Sequence, residues 1–276
     1  MVTRADFRYR LAAIDIDDTL VGPDKQVSRE NRDAIERLQQ AGCRVVLASG
    51  REHHSMEAYQ QRLGLDDFVV SSQGALVVHP SSGRQLWRRP VPAPLAHRLV
   101  TRGRAEGFDV LLATDDGFVA SPTSPWVVHD FGARDGTLRI HAGDLDLIVR
   151  EPPLKVLWYG ETPAVHAFSR VMSAELGAQA EVVITTPHLL EFNAPDATKA
   201  TGLAAVAGHY GIARQAVVAF GDSHNDVPML AWAGLGVAMP HAIAEAHAAA
   251  DLIAPEADPE CALAVAIDHL LAAAVV

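Results

Sequence analysis

Short apolar runs alternate with longer amphipathic stretches along much of the chain, and this alternation predicts an α/β fold. The apolar runs are continuous, the first of them up to its first acid, Asp15, as strands covered on both faces of a sheet should be. They are Leu11–Ile16, Arg44–Ala48, Phe68–Ser71, Ala216–Phe220 and Leu235–Met239. Between the first two runs, Ser28 is placed to cap a helix that ends near Gly42. Strands separated by helices of about 10–20 residues indicate βαβ units and a parallel sheet.

The pattern changes between about Ser82 and Thr186. This region contains proline-rich stretches, aromatic residues and shorter alternating runs such as Lys155–Tyr159. The α/β pattern resumes afterwards, which predicts an α+β module inserted into the sheet domain rather than a second domain in tandem. The predicted division is a discontinuous core of residues 1–82 and 187–276 around an inserted domain of residues 83–186.

The amino-acid composition disfavours two classes of binding partner, nucleic acids and membranes. With 34 acidic residues against 23 Lys and Arg, the formal charge of −11 argues against general binding to nucleic acid or to an anionic membrane. No apolar run approaches the ~20 residues of a membrane span. Cys43 and Cys261 are too few for a disulfide framework, and we expect buried free thiols in a reducing, cytoplasmic compartment. The sequence does not decide between a monomer and a homo-oligomer.

The first motif that carries chemistry is Asp15-Ile16-Asp17-Asp18-Thr19, at the carboxyl end of the first apolar run. In a strand, Asp15 and Asp17 point to the same face. Carboxylates gathered at the end of an apolar strand repel one another unless a cation lies between them, and Mg²⁺ is the cation that prefers oxygen ligands. The alternative is a polar turn whose acids cap a helix.

A second acidic motif, Gly221 to Asp226 (GDSHND), also follows an apolar run. Ligands of open α/β sheets bind outside the carboxyl ends of the strands, so the two acidic motifs are expected to converge on one site. An ordinary turn rich in Gly, Asp and Asn is the alternative for this motif alone.

Two weaker signals complete the set. Ser49-Gly50-Arg51 follows another apolar run, where a hydroxyl and backbone N–H groups near a helix start suit a phosphate oxygen. Lys199 lies just ahead of an alanine-rich helix, where a lysine on its own is usually solvated.

These four motifs, in this order, resemble the haloacid dehalogenase (HAD) superfamily of phosphotransferases. The long insert resembles the C2 cap of its Cof-type (class IIB) phosphatases. Further resemblance lies in Ser71–Leu76, Phe220–Leu230 and Gly236–Met239. The resemblance implies a HAD-type Rossmann-like parallel sheet core with an inserted α+β C2-type cap domain. It also implies a Mg²⁺-dependent phosphatase acting on a small phosphorylated metabolite, such as a sugar phosphate or a phosphorylated cofactor.

By this resemblance, Asp15 is the nucleophile that forms an aspartyl-phosphate. Asp17 is the general acid that protonates the leaving group and then the base that activates water. The side chains of Asp15 and Asp222 and the backbone carbonyl of Asp17 would bind Mg²⁺, and Asp226 would support these ligands.

The resemblance also implies a phosphate-binding set. Ser49, Lys199 and the amide of Asn225 would hold phosphate oxygens, while Gly50 and Arg51 would support them. A phosphate dianion requires such neutralisation before it can approach a carboxylate nucleophile.

The chain departs from the family pattern at Gln73, at Ala200 and at Pro240-His241, none of which alters the acids or Lys199. Two other functions stay open: a phosphohexomutase of the same superfamily, and a non-catalytic protein that binds sugar phosphates.

Other polar residues receive plainer interpretations. His53 and His54 are adjacent, so their rings should point in different directions, and solvated or substrate-side roles are expected. In the predicted insert, Asp115-Asp116 fits a β-turn and Trp126 a packing aromatic, although both are candidates to face the substrate.

Overall fold

A computed structural model describes residues 7–121, 124, 140–142, 145 and 151–273. The chain forms two compact units. The first unit comprises Met1–Trp87 with Thr198–Val276, and the second comprises Arg88–Ala197. The division into a core of residues 1–82 and 187–276 and an insert of residues 83–186 stays a prediction.

The first unit contains a five-stranded parallel sheet in the order β14-β13-β12-β1-β2. Its strands are β1 (Leu11–Ile14), β2 (Arg44–Leu47), β12 (Val217–Gly221), β13 (Leu235–Ala238) and β14 (Leu252–Ile253). Leu11 and Ala13 pack in one apolar cluster with residues such as Leu203, while Ala12 and Ile14, which point to the opposite face, are also fully buried. Burial of both faces explains why these runs are uniformly apolar.

The third predicted strand belongs to a different sheet. It is part of a three-stranded sheet in the order β3-β4-β5, formed by β3 (Val69–Ser71), β4 (Leu76–His79) and β5 (Arg84–Arg88). It contacts the chain after β2 through a bridge between Ala48 and Val70 and through backbone hydrogen bonds from Ser72 N to Arg51 O and from Gln73 N to Ser49 O. Regular strand pairing does not continue, because the chain turns at Ser72 and Gln73, whose φ angles are positive (52° and 61°).

Helices connect the strands of the first unit. They are α1 (Arg29–Gln40), α2 (His53–Leu63), α5 (Lys199–His209), α6 (Val227–Trp232), α7 (Ala244–Ala249) and α8 (Ala262–Ala273). The predicted cap of α1 is confirmed, since the Ser28 hydroxyl accepts a hydrogen bond from Asn31 N at 3.1 Å. The buried Asn31 side chain also accepts a hydrogen bond from Ala264 N at 2.9 Å, which joins α1 to α8.

The second unit is a six-stranded sheet with helices on one face. The order is β10-β11-β9-β6-β7-β8. The strands are β6 (Asp109–Thr114), β7 (Gly117–Ala120), β8 (Ile140–Ala142), β9 (Lys155–Tyr159), β10 (Glu181–Thr186) and β11 (Leu189–Asn193). Helices α3 (Ala93–Ala105) and α4 (Thr162–Leu176) pack against Trp158, Phe192 and neighbouring apolar side chains. The predicted α/β core with an α+β insert is therefore confirmed.

The cysteines fit the prediction in part. Cys43 is free and buried, and burial raises the pKa of its thiol to about 12. Cys261 is free but only half-buried, because it lies just before α8, so the prediction of a buried thiol there is wrong. Among the described residues, no helix combines the length and the apolar character needed to cross a membrane.

Candidate active site

The predicted motifs meet at one edge of the parallel sheet. Asp15 directly follows β1, Ser49 lies two residues beyond β2, and Asp222 directly follows β12. Because β1 pairs with both β12 and β2, these residues end neighbouring strands. The backbone continues the pairing briefly past β1, with Asp15 N donating to Phe220 O at 3.1 Å.

Lys199 is the centre of a buried cluster of acids. Its Nζ donates to Asp15 Oδ1 at 2.5 Å and to Asp226 Oδ1 at 2.7 Å. The lysine is the first residue of α5, whose N-terminus is capped by Thr198. The side chains of Lys199 and Asp226 are fully buried, and Asp15 is 4% exposed. The solvated position that is usual for a lone lysine at a helix start does not apply to Lys199, because two acids from distant parts of the chain surround it.

The cluster carries more negative than positive charge. Carboxylate oxygens of Asp15, Asp222 and Asp226 lie within 4.8 Å of one another, with the one ammonium of Lys199 among them. Burial and the neighbouring Asp226 charge raise the pKa of Asp15 well above its usual value, which Lys199 only partly offsets. Burial and Asp226 likewise raise the pKa of Asp222 to about 6. Burial would lower the pKa of Lys199, but the Asp15 and Asp226 charges raise it overall.

This excess of negative charge is what a binding site for a cation requires. Carboxylates that are close together and removed from water favour either protons or a bound metal ion. All three offer hard oxygen ligands, which suit Mg²⁺. The residues present therefore fit the metal that the sequence predicts.

Hydrogen bonds hold two members of the cluster in place. Thr19 Oγ1 donates to Asp222 Oδ1 at 2.7 Å. Asp226 Oδ2 accepts from the backbone N–H groups of Asp222 and Ser223, each at 3.1 Å, and its Oδ1 accepts from Lys199. Both oxygens of Asp226 are thus engaged by the protein. Thr19 was absent from the predicted site, although its place in the first motif is the signal that could have identified it.

The carboxylate of Asp17 has different partners. Arg51 donates to both of its oxygens at 2.8 Å, and Lys25 Nζ lies 3.3 Å from Oδ1. Partial burial would raise the pKa of Asp17, but the hydrogen bonds and charge of Arg51, together with Lys25, lower it to about 2. The sequence analysis did not predict this ion pair, since nothing in the local pattern links Arg51 to Asp17.

The turns after β2, β3 and β12 approach one another beside this cluster. Ser49 is buried, and its hydroxyl accepts from Arg51 N at 3.2 Å. Gln73 N donates to Ser49 O at 3.2 Å, and Asn225 Nδ2 donates to Gln73 Oε1 at 2.9 Å. The structure thus joins the predicted phosphate-binding residues Ser49 and Asn225 through a residue that the prediction did not include.

The remaining polar residues give mixed outcomes. The rings of His53 and His54 do not diverge, since their centroids lie 3.8 Å apart at the start of α2, and His53 is buried rather than solvated. Asp115-Asp116 forms the turn between β6 and β7, as expected. Trp126 lies outside the described residues. His241 Nε2 lies 2.6 Å from the backbone oxygen of Asp18. The Pro240-His241 departure from the family pattern therefore contacts the first acidic motif.

Comparison with known proteins assigns the family. The family model for haloacid dehalogenase-like hydrolases matches residues 12–267. The chain belongs to this family. It is 31% identical to the 5-amino-6-(5-phospho-D-ribitylamino)uracil phosphatase YitU of Bacillus subtilis over 247 residues, which covers 84% of this chain and 87% of the relative. It is 28% identical to the HMP-PP phosphatase of Cronobacter sakazakii over 240 residues, with 86% and 87% covered.

Solved structures support the same conclusion for this HAD-family chain. A haloacid dehalogenase-like hydrolase from Bacteroides thetaiotaomicron has a TM-score of 0.83 and 26% identity, covering 95% of this chain and 99% of that one. The HAD phosphatase BT1666 from the same organism has a TM-score of 0.80 and 25% identity, with 98% of both chains covered. The predicted family and fold class are confirmed, and the chain is an enzyme of the HAD-type phosphatase class.

Proposed function

We propose that the protein hydrolyses a small phosphorylated metabolite with the aid of Mg²⁺, through a phosphate ester of Asp15. One observation carries this proposal: the buried Asp15 carboxylate, at the end of β1, contacts Lys199 within a cluster that holds three acids. A carboxylate held beside a lysine and a candidate metal site is suited to attack a phosphate, because both cations reduce the repulsion between anions.

The metal would be held by the side chains of Asp15 and Asp222 and by the backbone carbonyl of Asp17. When bound, Mg²⁺ neutralises phosphate charge and orients the phosphoryl group. Asp226 supports this site rather than binding the ion, because both of its oxygens already accept hydrogen bonds from Lys199 and from backbone N–H groups.

In the first step, an Asp15 carboxylate oxygen attacks phosphorus, and the bond from phosphorus to the leaving-group oxygen breaks. The leaving alkoxide takes a proton from Asp17. Lys199, Ser49 and Asn225 hold the phosphate oxygens, and Lys199 stabilises the added negative charge.

In the second step, Asp17 removes a proton from water, which attacks the aspartyl-phosphate and releases inorganic phosphate and free Asp15. The ion pair with Arg51 holds Asp17 as a carboxylate, the form required for this step. The first step requires a proton on Asp17, so the pair with Arg51 must open when the ester binds. Arg51 therefore sets the balance between the two forms of Asp17.

The substrate class follows from the relatives. Their names give 5-amino-6-(5-phospho-D-ribitylamino)uracil and HMP-PP as substrates of those proteins. We propose a small phosphorylated metabolite of this kind, including phosphorylated sugars and cofactor precursors, as the substrate here. The free thiol of Cys43 accords with action in the reducing cytoplasm.

The test is a screen of phosphate release from p-nitrophenyl phosphate, from these two compounds and from sugar phosphates, with Mg²⁺ or with EDTA. We expect release with Mg²⁺ only, and kcat/KM then ranks the substrates. Interconversion of hexose 1- and 6-phosphates without release of phosphate would instead identify a mutase. Binding of sugar phosphates without any turnover would identify a non-catalytic protein.

A further inference from the structure

Gln73 occupies an unusual position beside the candidate phosphate-binding turns. It is 7% exposed, and its backbone has a left-handed φ of 61°. Residues other than glycine and asparagine seldom adopt this conformation. Its backbone N–H donates to Ser49 O, and the next residue, Gly74, packs so closely on Thr198 that a Cβ there would lie 1.9 Å from Thr198 O. Gln73 is therefore fixed between the turn after β2 and the start of α5, where Lys199 lies.

The amide of Gln73 is oriented by Asn225. Asn225 Nδ2 donates to Gln73 Oε1 at 2.9 Å, so the Gln73 oxygen faces the turn after β12. The nitrogen of the same amide then faces the turn after β2. A Cβ at Gly50 would lie only 2.6 Å from Gln73 Nε2, so the glycine leaves the space that this nitrogen uses.

We propose that Gln73 Nε2 donates a hydrogen bond to the phosphate of the substrate, as a further binding residue of the proposed phosphatase site. In the part of the chain that the structure describes, Nε2 has no acceptor, while it lies against Gly50, between Ser49 and Arg51. This inference rests on the proposed function for the identity of the anion.

The chemistry of the amide fits this task. Asp15, Asp222 and Asp226 make the site negative, so a phosphate needs donors that bring no acceptor with them. A free carboxamide could turn either its oxygen or its nitrogen towards the phosphate. Asn225 engages the oxygen, and the nitrogen is the amide atom nearest to Gly50, so the donor end of Gln73 is the end left for a ligand at this turn.

The experiment measures binding of inorganic phosphate by calorimetry in the presence of Mg²⁺, together with KM and kcat for p-nitrophenyl phosphate. Gln73→Met removes the donor at similar length. Gln73→Glu keeps an acceptor for Asn225 Nδ2 but replaces Nε2 with a charged oxygen. The matched control is Gln60→Met, since Gln60 is also a buried glutamine, whose Nε2 donates to the backbone oxygen of Asp67 at 3.0 Å.

We expect Gln73→Met to weaken phosphate binding and raise KM about tenfold or more, as for a hydrogen bond to a charged group, with a smaller change in kcat. Gln73→Glu should weaken both further, because its charge repels phosphate. Gln60→Met should lower the unfolding temperature but leave phosphate binding unchanged.

Several results would overturn the inference. These are phosphate binding within twofold of wild type in Gln73→Met or Gln73→Glu, an equal loss of affinity in Gln60→Met, and a wild-type protein that binds no phosphate. Failure of the proposed function is separate. If wild type binds phosphate but hydrolyses no ester, and Gln73→Met still weakens binding tenfold, the role of Gln73 is supported and phosphatase activity is not.

Discussion

Each unit of the molecule buries a lysine against carboxylates, but the two arrangements differ in charge. In the first unit, Lys199 contacts Asp15 and Asp226, with Asp222 close by. In the second unit, Lys155 Nζ donates to Glu191 Oε2 at 2.8 Å, and the other oxygen of Glu191 accepts from Thr185 at 3.1 Å. The first lysine faces three buried acids, whereas the second is paired with one buried acid, Glu191, and lies near the solvent-exposed Glu181.

The comparison shows that burial of an ion pair is not by itself a sign of function. A pair with matched charge, such as Lys155 with Glu191, has a partner for each ion and can serve packing alone. The Lys199 cluster is left with excess negative charge, which raises the pKa of both Asp15 and Asp222. Strong mutual perturbation of this kind is characteristic of sites that bind cations or perform chemistry.

Neutralising one acid in each cluster should give the largest difference between the two lysine sites. Asp15→Asn should reduce turnover of p-nitrophenyl phosphate at least about 10⁴-fold, because the nucleophile is lost. Glu191→Gln should leave turnover within about threefold, while it lowers stability by leaving Lys155 buried without its charge partner. Steady-state kinetics and thermal unfolding of both variants provide the test. Substantial activity in Asp15→Asn would show that another group attacks phosphorus.

Replacing each lysine in turn sharpens the contrast. Lys199→Met should lower kcat/KM at least about 10²-fold, the scale of losing one preorganised charge contact. Both Lys199→Met and Lys155→Met should lose about 3–5 kcal/mol of stability, because each leaves buried carboxylates without their lysine.

Millimolar Mg²⁺ separates the two lysine variants. It should restore part of the stability of Lys199→Met, whose acids can bind the ion, and none of that of Lys155→Met. Unfolding curves with Mg²⁺ and with EDTA measure this. Equal rescue of both variants would mean that Mg²⁺ binds elsewhere, and an effect of Lys199→Met under threefold on kcat/KM would remove Lys199 from the phosphate site.

The sequence predicted the parts of this comparison unequally. The strands β1, β2 and β12 and the acids at their ends follow from continuous apolar runs that stop at polar residues, which is local information. The burial of Lys199 does not, because the three acids around it come from positions 15, 222 and 226, and only the strand order brings them to one place.

Other features depended on geometry that the pattern does not encode. The pair of Arg51 with Asp17 joins residues 34 positions apart in the chain. The placement of Gln73 depends on a left-handed turn, which a glutamine in the sequence does not suggest. In the second unit, the alternating run Lys155–Tyr159 forms β9, yet nothing local indicated that Lys155 would be buried against Glu191.

The pH dependence of stability should also distinguish the Lys199 cluster from the Lys155–Glu191 pair. The pKa of Asp222 is about 6 in the folded protein and about 4 in the unfolded chain. Between these values the folded state holds a proton that the unfolded state has released, so stability falls as the pH rises through this window. The titration of Asp222 alone should thus cost the metal-free protein up to about 3 kcal/mol between pH 4 and pH 7.

Asp222→Asn is the control, since it should make this part of the pH dependence shallower, leaving the contribution of Asp15, whose pKa is also raised, whereas Glu191→Gln should leave the Asp222 contribution in place. Mg²⁺ should reverse the trend, because it binds the deprotonated carboxylates and stabilises the protein more at pH 7 than at pH 5. Denaturant titrations across this range, with and without Mg²⁺, measure both effects. A metal-free protein equally stable at pH 5 and pH 7, with an unchanged profile in Asp222→Asn, would contradict the raised pKa.

The smallest expected effect comes from a matched pair of threonines. Thr19 Oγ1 donates to Asp222 in the first cluster, and Thr185 Oγ1 donates to Glu191 in the second. Thr19→Val removes a hydrogen bond that orients Asp222 and lowers its pKa, so Mg²⁺ affinity should fall about tenfold at pH 7. Thr185→Val removes an equivalent bond where the buried carboxylate of Glu191 is already paired with Lys155, so Mg²⁺ affinity should not change. Calorimetric titration of both variants with Mg²⁺ decides between the two roles: equal affinities would show that Thr19, like Thr185, only packs beside its acid.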